Sequence, residues 1–539
     1  MKRLLLSLLL LVAVNATMSA YDFEVDGKYY NLLSDSTAEF TCRDVNYTAY
    51  RGHLVIPETV SYNGVDLTVT QVSDYACYKC RQMTSVSIPN TVTSLGVSSF
   101  LGCSGLTSID LPNSLTRIGS TAFEECSGLT SLYLPSSVTK IEPFAFMMCP
   151  GLTSIVVADD NPKYDSRENC NAVIETATKT MIIGCQNTVI PSSVTTFADH
   201  VFEGVTGLTS IVIPYGTTEI PDYMLAFCTN LTSVQIPNTV TSIGYDAFRG
   251  CTSIANITLP NSVRVISYGA FSEMDNLQGL KIPRNVYSIR RTFLLGSPSV
   301  KRLSVADGNQ YYDSRENCNA IIHTSTNTII AGCENTVIPS TVTSIGANAF
   351  GSRLGLTSID IPNHITSIDE YAFARCVNLT HVTLPDSITN IADYMFYECG
   401  ALESITIPAP VTDIGLSAFR YCSNLTQVIS LPVTPPAITQ YCFINSYGAT
   451  LFVPQESMEA YSTHEFWGRF SRIVPFLGAG PGDINGDGTI TVSDAVDIIN
   501  QMLDAGNAEL PAYCDVNGDG TVNIADITAL INMLLNAAN

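Results

Sequence analysis

Positive charge is scarce in this sequence. Lys and Arg number 26 against 49 Asp and Glu, which leaves a net charge of −23. That balance excludes a nucleic-acid partner and an anionic membrane surface, both of which call for a basic face. Charged residues of either sign make up only 14% of the chain, so Ser, Thr and Asn carry the solubility. There is one Trp, and the six His are scattered, with no HExxH, no ordered Ser/His/Asp set and no phosphate loop. The chain is therefore expected to be non-catalytic; only a glycosidase carboxylate pair, which leaves no sequence signature, escapes this exclusion.

Long apolar runs are missing too. Residues 1–20 read as a secretory signal peptide, with Lys2 and Arg3 at the start, an apolar stretch from Leu4 to Val14 and a small-residue cleavage site at Ser19-Ala20. That stretch is too short to span a bilayer, and no later span follows. The mature chain is expected outside the cytoplasm, with no membrane span after signal removal.

What the sequence has in abundance is repetition. Pro89, Pro112 and Pro135 are 23 residues apart, as are Pro191, Pro214, Pro237, Pro260 and Pro283, and Pro339, Pro362, Pro385 and Pro408. Eleven residues after most of them an aromatic returns, as at Phe100, Phe123, Phe146, Phe202, Phe350, Phe373, Phe396 and Phe419. A period in this range means a solenoid. Within a unit such as Leu106-Thr107-Ser108-Ile109-Asp110-Leu111-Pro112, apolar and polar residues alternate, which is a strand with one buried face. Pro112 ends the strand because it has no N–H to give to a ladder. Leu115, Ile118, Ala122 and Phe123 are expected to turn inward on the return path. One unit buries too few side chains to offset the entropy of ordering its own backbone, so units must stack. The Thr and Ser beside the inward Leu and Ile make one sheet face hydroxyl-rich and weakly charged, suited to protein or glycan contact or merely solubilising.

Two cassettes break the step. Pro135 to Pro191 and Pro283 to Pro339 each span 56 residues, and both contain Tyr-Asp-Ser-Arg-Glu-Asn-Cys-Asn-Ala, at 164–172 and 312–320. Each is followed by two alternating runs, which predicts a β-hairpin. Because the motif comes twice, its Asp, Arg and Glu are read as structural rather than catalytic. The ends of the array, from Tyr21 to about Tyr62 and over residues 430–476, differ from the repeats and read as caps, with the sole Trp467 a buried cap residue.

Seventeen Cys in an exported chain first suggest disulfides. Their spacing argues otherwise: Cys80, Cys103, Cys126 and Cys149, and Cys376, Cys399 and Cys422, fall 23 apart in one slot of successive units. Sister units place Val205 or Met274 there, so the slot is read as apolar with Cys as a small hydrophobe, and Ser297 and Arg353 are read as marks of irregular turns. Better disulfide candidates are Cys170–Cys185 and Cys318–Cys333, which bracket the two hairpins.

From residue 480 onward there are nine acidic residues and no Lys or Arg. Residues 483–494 and 515–526 each match a twelve-residue EF-type calcium loop. Oxygen donors stand at positions 1, 3, 5 and 12: Asp483, Asn485, Asp487 and Asp494, then Asp515, Asn517, Asp519 and Asp526. Position 7, Thr489 or Thr521, offers a backbone carbonyl, and Gly at position 6 permits the sharp turn. Helices are expected from Ala495 to Leu503 and from Ile527 to Leu535.

The duplicated loop–helix unit resembles a dockerin over 483–535, the module that plugs bacterial secreted proteins into cohesin domains. The resemblance implies two Ca2+ ions on the ten residues just named. It also implies that loop positions 10 and 11, here Val492-Ser493 and Ile524-Ala525, help read the cohesin; the Ser-Thr pair of well-known dockerins is absent there. The array resembles BspA-type leucine-rich repeats of bacterial surface antigens over about 21–476, including the Ala-Phe-x-x-Cys step and both caps. That family implies a secreted bacterial protein at the cell surface, with adhesion as its role and host matrix proteins as frequent ligands.

The fold expected is a β-rich leucine-rich-repeat solenoid, a parallel sheet with an irregular return path, plus a small α-helical dockerin. The segments are a signal peptide 1–20, an N-terminal cap 21–62, repeats 63–430 with hairpin insertions at about 158–188 and 306–336, a C-terminal cap 431–476, a linker 477–482 and a dockerin 483–539. The expected function is non-catalytic binding of an extracellular protein or glycan by the repeats, with calcium-dependent attachment to a cohesin-bearing scaffold or cell surface. The alternatives are membership of a cellulosome-like polysaccharide-degrading complex, beside glycoside hydrolases, and an inert spacer.

Overall fold

The computed structural model describes residues 21–44, 48, 50–477, 481–486, 489–505 and 510–537. The signal segment 1–20, part of the linker and the loop residue Asp487 lie outside the described residues. The chain is a β-solenoid with little helix, in two compact units, Met1–Ile254 and Ala255–Asn539.

In the first unit the N-terminal segment builds an antiparallel start, Phe23–Val25, Lys28–Leu32 and Thr37–Thr41. Thr37–Thr41 then pairs in parallel with Val65–Val72, which hands the ladder to two-residue strands at Ser94–Leu95, Arg117–Ile118 and Lys140–Ile141. The longer strands before each proline form a second parallel set, Gly52–Val55, Met83–Ser87 and Ser108–Asp110. Each coil thus carries two short strands rather than the single one read from the sequence. The carbonyl of the proline takes the N–H three residues on, as from Pro112 to Leu115 at 3.0 Å, so proline starts a turn as well as ending a strand. Leu115, Ile118, Ala122 and Phe123 are fully buried. Phe100, Phe123 and Phe146 stack at 5.3 and 5.0 Å between centroids.

The second unit repeats this plan. Phe350, Phe373, Phe396, Phe419 and Phe443 form one stack at 5.0–5.6 Å. Its last four strands, Ser404–Ile407, Gln427–Ser430, Thr450–Pro454 and Arg472–Phe476, are parallel and in register. A short helix, α1 (Met458–Thr463), and Trp467 close the core. Trp467 is buried, and its indole N–H donates to the Pro436 carbonyl at 2.8 Å, so it is a cap residue.

Side chains tie each coil to the one before it. The Cys126 thiol lies 3.2 Å from the Phe100 carbonyl, Cys149 3.1 Å from Phe123, Cys376 3.0 Å from Phe350 and Cys422 3.2 Å from Phe396. Burial raises these thiols, to about 12 for Cys149, Cys376 and Cys422, so each keeps its proton and donates it. Ser297 fills the same slot with the same bond, Oγ to the Phe271 carbonyl at 2.8 Å. Cys and Ser297 use the slot to donate, while Val205 and Met274 fill it as buried apolar groups, which corrects its reading as merely apolar and Ser297 as irregular. Exposed threonines do likewise: Thr130 Oγ1 donates to the Thr107 carbonyl at 3.2 Å and Thr153 to Thr130 at 3.0 Å. Much of the hydroxyl-rich face is therefore committed to the backbone.

The two cassettes form the expected hairpins, Ala172–Glu175 with Thr180–Gly184 and Ile321–His323 with Thr328–Ala331. Their shared motif replaces the partners that a missing coil would have supplied. Tyr164 and Tyr312 hydroxyls accept the N–H of Ile141 (3.1 Å) and Ile289 (2.9 Å). Asn171 and Asn319 side-chain oxygens accept the N–H of Ile155 (3.4 Å) and Leu303 (2.8 Å). Arg167 grips Asp165 with two bonds, and Arg315 grips Asp313. Gly184 and Gly332 have no room for a Cβ because Phe202 and Phe350 press on them.

The expected disulfides are not formed. Cys170, Cys185, Cys318 and Cys333 are four separate buried thiols. Cys185 and Cys333 are each aimed 3.4 Å from the carbonyls of Asn171 and Asn319, and Thr188 and Thr336 close the hairpins by donating to the same two carbonyls at 2.6 and 2.9 Å. Arg353 also departs from its reading as an irregular turn. It is buried, and its guanidinium donates to the carbonyls of Gly332 (2.8 Å) and Ser297 (3.0 Å), filling the gap beside the second hairpin.

Candidate metal centre and docking face

Two helices follow the acidic loops, α2 (Val492–Ala505) and α3 (Ile524–Ala537). Both begin three residues earlier than the apolar pattern suggests, because the aspartate at position 12 sits in the first turn and favours the positive end of the helix. That aspartate closes each loop. Asp494 Oδ1 accepts the N–H groups of Ile484 (2.8 Å) and Asn485 (3.2 Å), and its Oδ2 accepts Thr491 N–H (2.8 Å). Asp526 makes the equivalent bonds, to Asn517 N–H at 3.1 Å and Asn523 N–H at 2.8 Å. Gly486 and Gly518, at position 6, both have φ of 73°, the left-handed turn the loop needs. Ile484, Ala495, Ile498, Cys514, Val516 and Leu530 bury a small shared core beneath the loops.

In the second loop Asp519 N–H bonds to Asp515 Oδ1 (3.1 Å) and to Asn517 Oδ1 (2.8 Å), and Gly520 N–H bonds to Asp515 Oδ2 (3.0 Å). The Asp519 carboxylate is turned to Thr521, whose N–H and hydroxyl both lie 2.8 Å away; those bonds hold its pKa below the ordinary range. Burial raises that of Asp515, with Asp526 and Asp519 adding repulsion against the opposing pull of Gly520 N–H and Arg472. Asp483, Asp494, Asp515 and Asp526 are all buried, while Asn485, Thr489, Asp519 and Thr521 are exposed at the loop rims. Among the described residues no three acidic, His or Cys side chains close on one point; Asp494, Asp515 and Asp526 bond to loop N–H groups, and Asp515 also pairs with one cation. That cation is Arg472, which pairs with Asp515.

Two family models match this chain. The BspA type Leucine rich repeat region matches residues 70–178, 181–301 and 330–468 in six copies. The chain belongs to the BspA-type leucine-rich repeat family. The Dockerin type I domain matches residues 481–535. Among solved structures, a leucine rich cell surface protein of Faecalibacterium prausnitzii is 22% identical, with 84% of this chain and 99% of that one covered and a TM-score of 0.40. A leucine-rich repeat protein of Bacteroides ovatus is also 22% identical, over 76% of this chain and 94% of that one, with a TM-score of 0.40. The pneumococcal vaccine antigen PcpA is 14% identical, over 84% and 98%, with a TM-score of 0.37. No curated protein matches the chain.

Dockerin type I domains bind calcium and dock on cohesins, and both families are typically non-catalytic, extracellular or surface-bound in bacteria. No helix among the described residues is long and apolar enough to cross a membrane. In this dockerin the four residues expected to meet a cohesin all lie on the surface, with Val492 70% and Ile524 75% exposed. The exposed apolar set is wider than positions 10 and 11. Val496, Ile499 and Leu503 continue from Val492 along one face of α2, and Ile531 and Leu535 continue from Ile524 along α3. Each helix is thus apolar on two faces, one against the core and one uncovered. The spacing of Val492, Val496, Ile499 and Leu503 beside that of Ala495, Ile498 and Met502 is the signal that could have found the second face.

Proposed function

We propose that this chain is a secreted, non-catalytic binding protein: its repeats engage an extracellular protein or glycan, and its tail fastens it, through calcium, to a cohesin-bearing scaffold or cell surface. The observation that carries the reading is the pairing of a stacked array with two loops of hard oxygen donors in one chain. Asp483, Asn485, Asp487, Thr489 and Asp494 are assigned to one Ca2+, and Asp515, Asn517, Asp519, Thr521 and Asp526 to a second. The donor chemistry fits the ion. Carboxylates at Asp483, Asp494, Asp515 and Asp526 are buried in a tail that has no Lys or Arg of its own, and a bound divalent cation would neutralise them. The proposed parts are those of the sequence reading: cap 21–62, repeats 63–430, cap 431–476 and dockerin 483–539.

The uncovered apolar stripes of α2 and α3 support cohesin as the partner, since soluble domains rarely leave such a face open. Capture of the full chain on an immobilised type I cohesin, with calcium and then with chelator, tests the reading. Capture that survives chelation, or none in either condition, overturns it.

A further inference from the structure

The two loops are alike in sequence and unlike in setting. Gln427, on the last strand of the repeats, and Thr450 and Arg472, on the two cap strands beside it, are register partners, so their side chains form one row across the sheet. All three members of that row reach the second loop. Gln427 Nε2 donates to the Asn517 carbonyl at 2.8 Å, Thr450 Oγ1 donates to the Gly518 carbonyl at 3.0 Å, and the Arg472 guanidinium pairs with the Asp515 carboxylate. Phe452, from the middle of these strands, lies under Gly518, where an added Cβ would come within 3.0 Å of its ring. A Cβ at Gly520 would collide with Arg472. At the matching glycine of the first loop, Gly486, an added Cβ would meet only Leu477, at 3.9 Å.

We propose that the cap is a wall of the second calcium site, and that Arg472 and calcium compete for Asp515. The proposal rests on the two-ion reading given above. Asp515 stands at position 1 of its loop and is 1% exposed, so the guanidinium neutralises a carboxylate that water does not reach. Calcium needs that same carboxylate. A fixed positive charge paired with a carboxylate shifts that group's ionic equilibria by about tenfold or more. The second loop should therefore bind calcium more weakly than the first in the full chain, and filling it should loosen the tail from the cap. The repeats would set the calcium threshold of the docking module.

Calorimetric titration of the metal-free full chain with calcium chloride tests this. The wild type should take up two ions of unequal affinity. Arg472→Gln should tighten the weaker class about tenfold and leave the other unchanged, and Asp526→Asn should abolish the class that responds. Arg472→Lys keeps the charge without the planar fork and should stay near the wild type; a purely structural Arg would make Lys behave like Gln. Trp467 fluorescence checks that the cap stays folded. Fewer than two ions in the wild type would overturn the two-ion reading, and this proposal with it. Two ions with neither class tightened by Arg472→Gln would overturn the competition alone.

Discussion

Substitutions at Cys422 separate a donor slot from an apolar one. Cys422 is fully buried and its thiol lies 3.2 Å from the Phe396 carbonyl. Cys422→Ser keeps a donor and gives up a soft apolar contact, so the two changes offset to within about 1 kcal/mol. Cys422→Ala removes the bond and leaves a small void, at about 1–2 kcal/mol. Cys422→Val loses the bond and adds bulk to a packed site, at about 2–4 kcal/mol. The expected order of stability is Cys, Ser, Ala, Val. An apolar slot would give another order, with Val near the wild type and Ser worst. The sole Trp, Trp467, provides the assay: it sits 5.5 Å from Phe443, which stacks on Phe419 in the coil that holds Cys422. Urea unfolding followed by its fluorescence reads that end of the array. Val equal to the wild type, with Ser losing more than about 2 kcal/mol, would refute the reasoning.

Further outcomes follow from other parts of the molecule. Burial holds Cys149, Cys251, Cys376 and Cys422 at about 12 when folded, so their stabilisation is full below the ordinary thiol value and is lost as pH rises from about 9 towards 12; the urea midpoint should fall over that window. Arg353→Ala strips donors from the Gly332 and Ser297 carbonyls and opens a cavity, so the array should lose about 2–4 kcal/mol, read as a lower melting temperature. Tyr312→Phe should release the Ile289 N–H, at about 1–2 kcal/mol, with faster hydrogen exchange at that amide. Val492→Asp with Ile524→Asp should weaken cohesin capture at least tenfold, measured by surface binding.

The 23-residue step made the stacked coils legible, because a strand, a proline and an inward Phe recur in fixed order. The loops were legible for the same reason: calcium geometry fixes which positions carry oxygen. The return path was not. It bends through left-handed residues such as Thr121 (φ 55°), Glu125 (φ 57°), Tyr371 (φ 57°) and Arg375 (φ 60°), none of which is glycine or announces the turn. The role of the cysteine slot was hidden as well, since a thiol and a valine look alike to a hydrophobic pattern. Val205 and Arg353 were informative exceptions. They are the first such slots after each hairpin, where the residue 26 places earlier, Lys179 or Asn327, lies between the two hairpin strands instead of in a coil. Arg472 was out of reach for another reason: its partner is 43 residues away and the pairing follows no local spacing.

The thiol and threonine bonds also govern how such a protein can change length. Each reaches back a set distance, 26 residues for Cys126 and 23 for Thr130. Excising one whole turn of the spiral gives every donor that bridges the seam an equivalent acceptor; excising one residue fewer misdirects the donors at that seam. Growth and shrinkage are therefore quantised, and a partial turn survives only where it carries its own Tyr, Asn and Asp–Arg clamp to mend the seam, as it does twice along this chain.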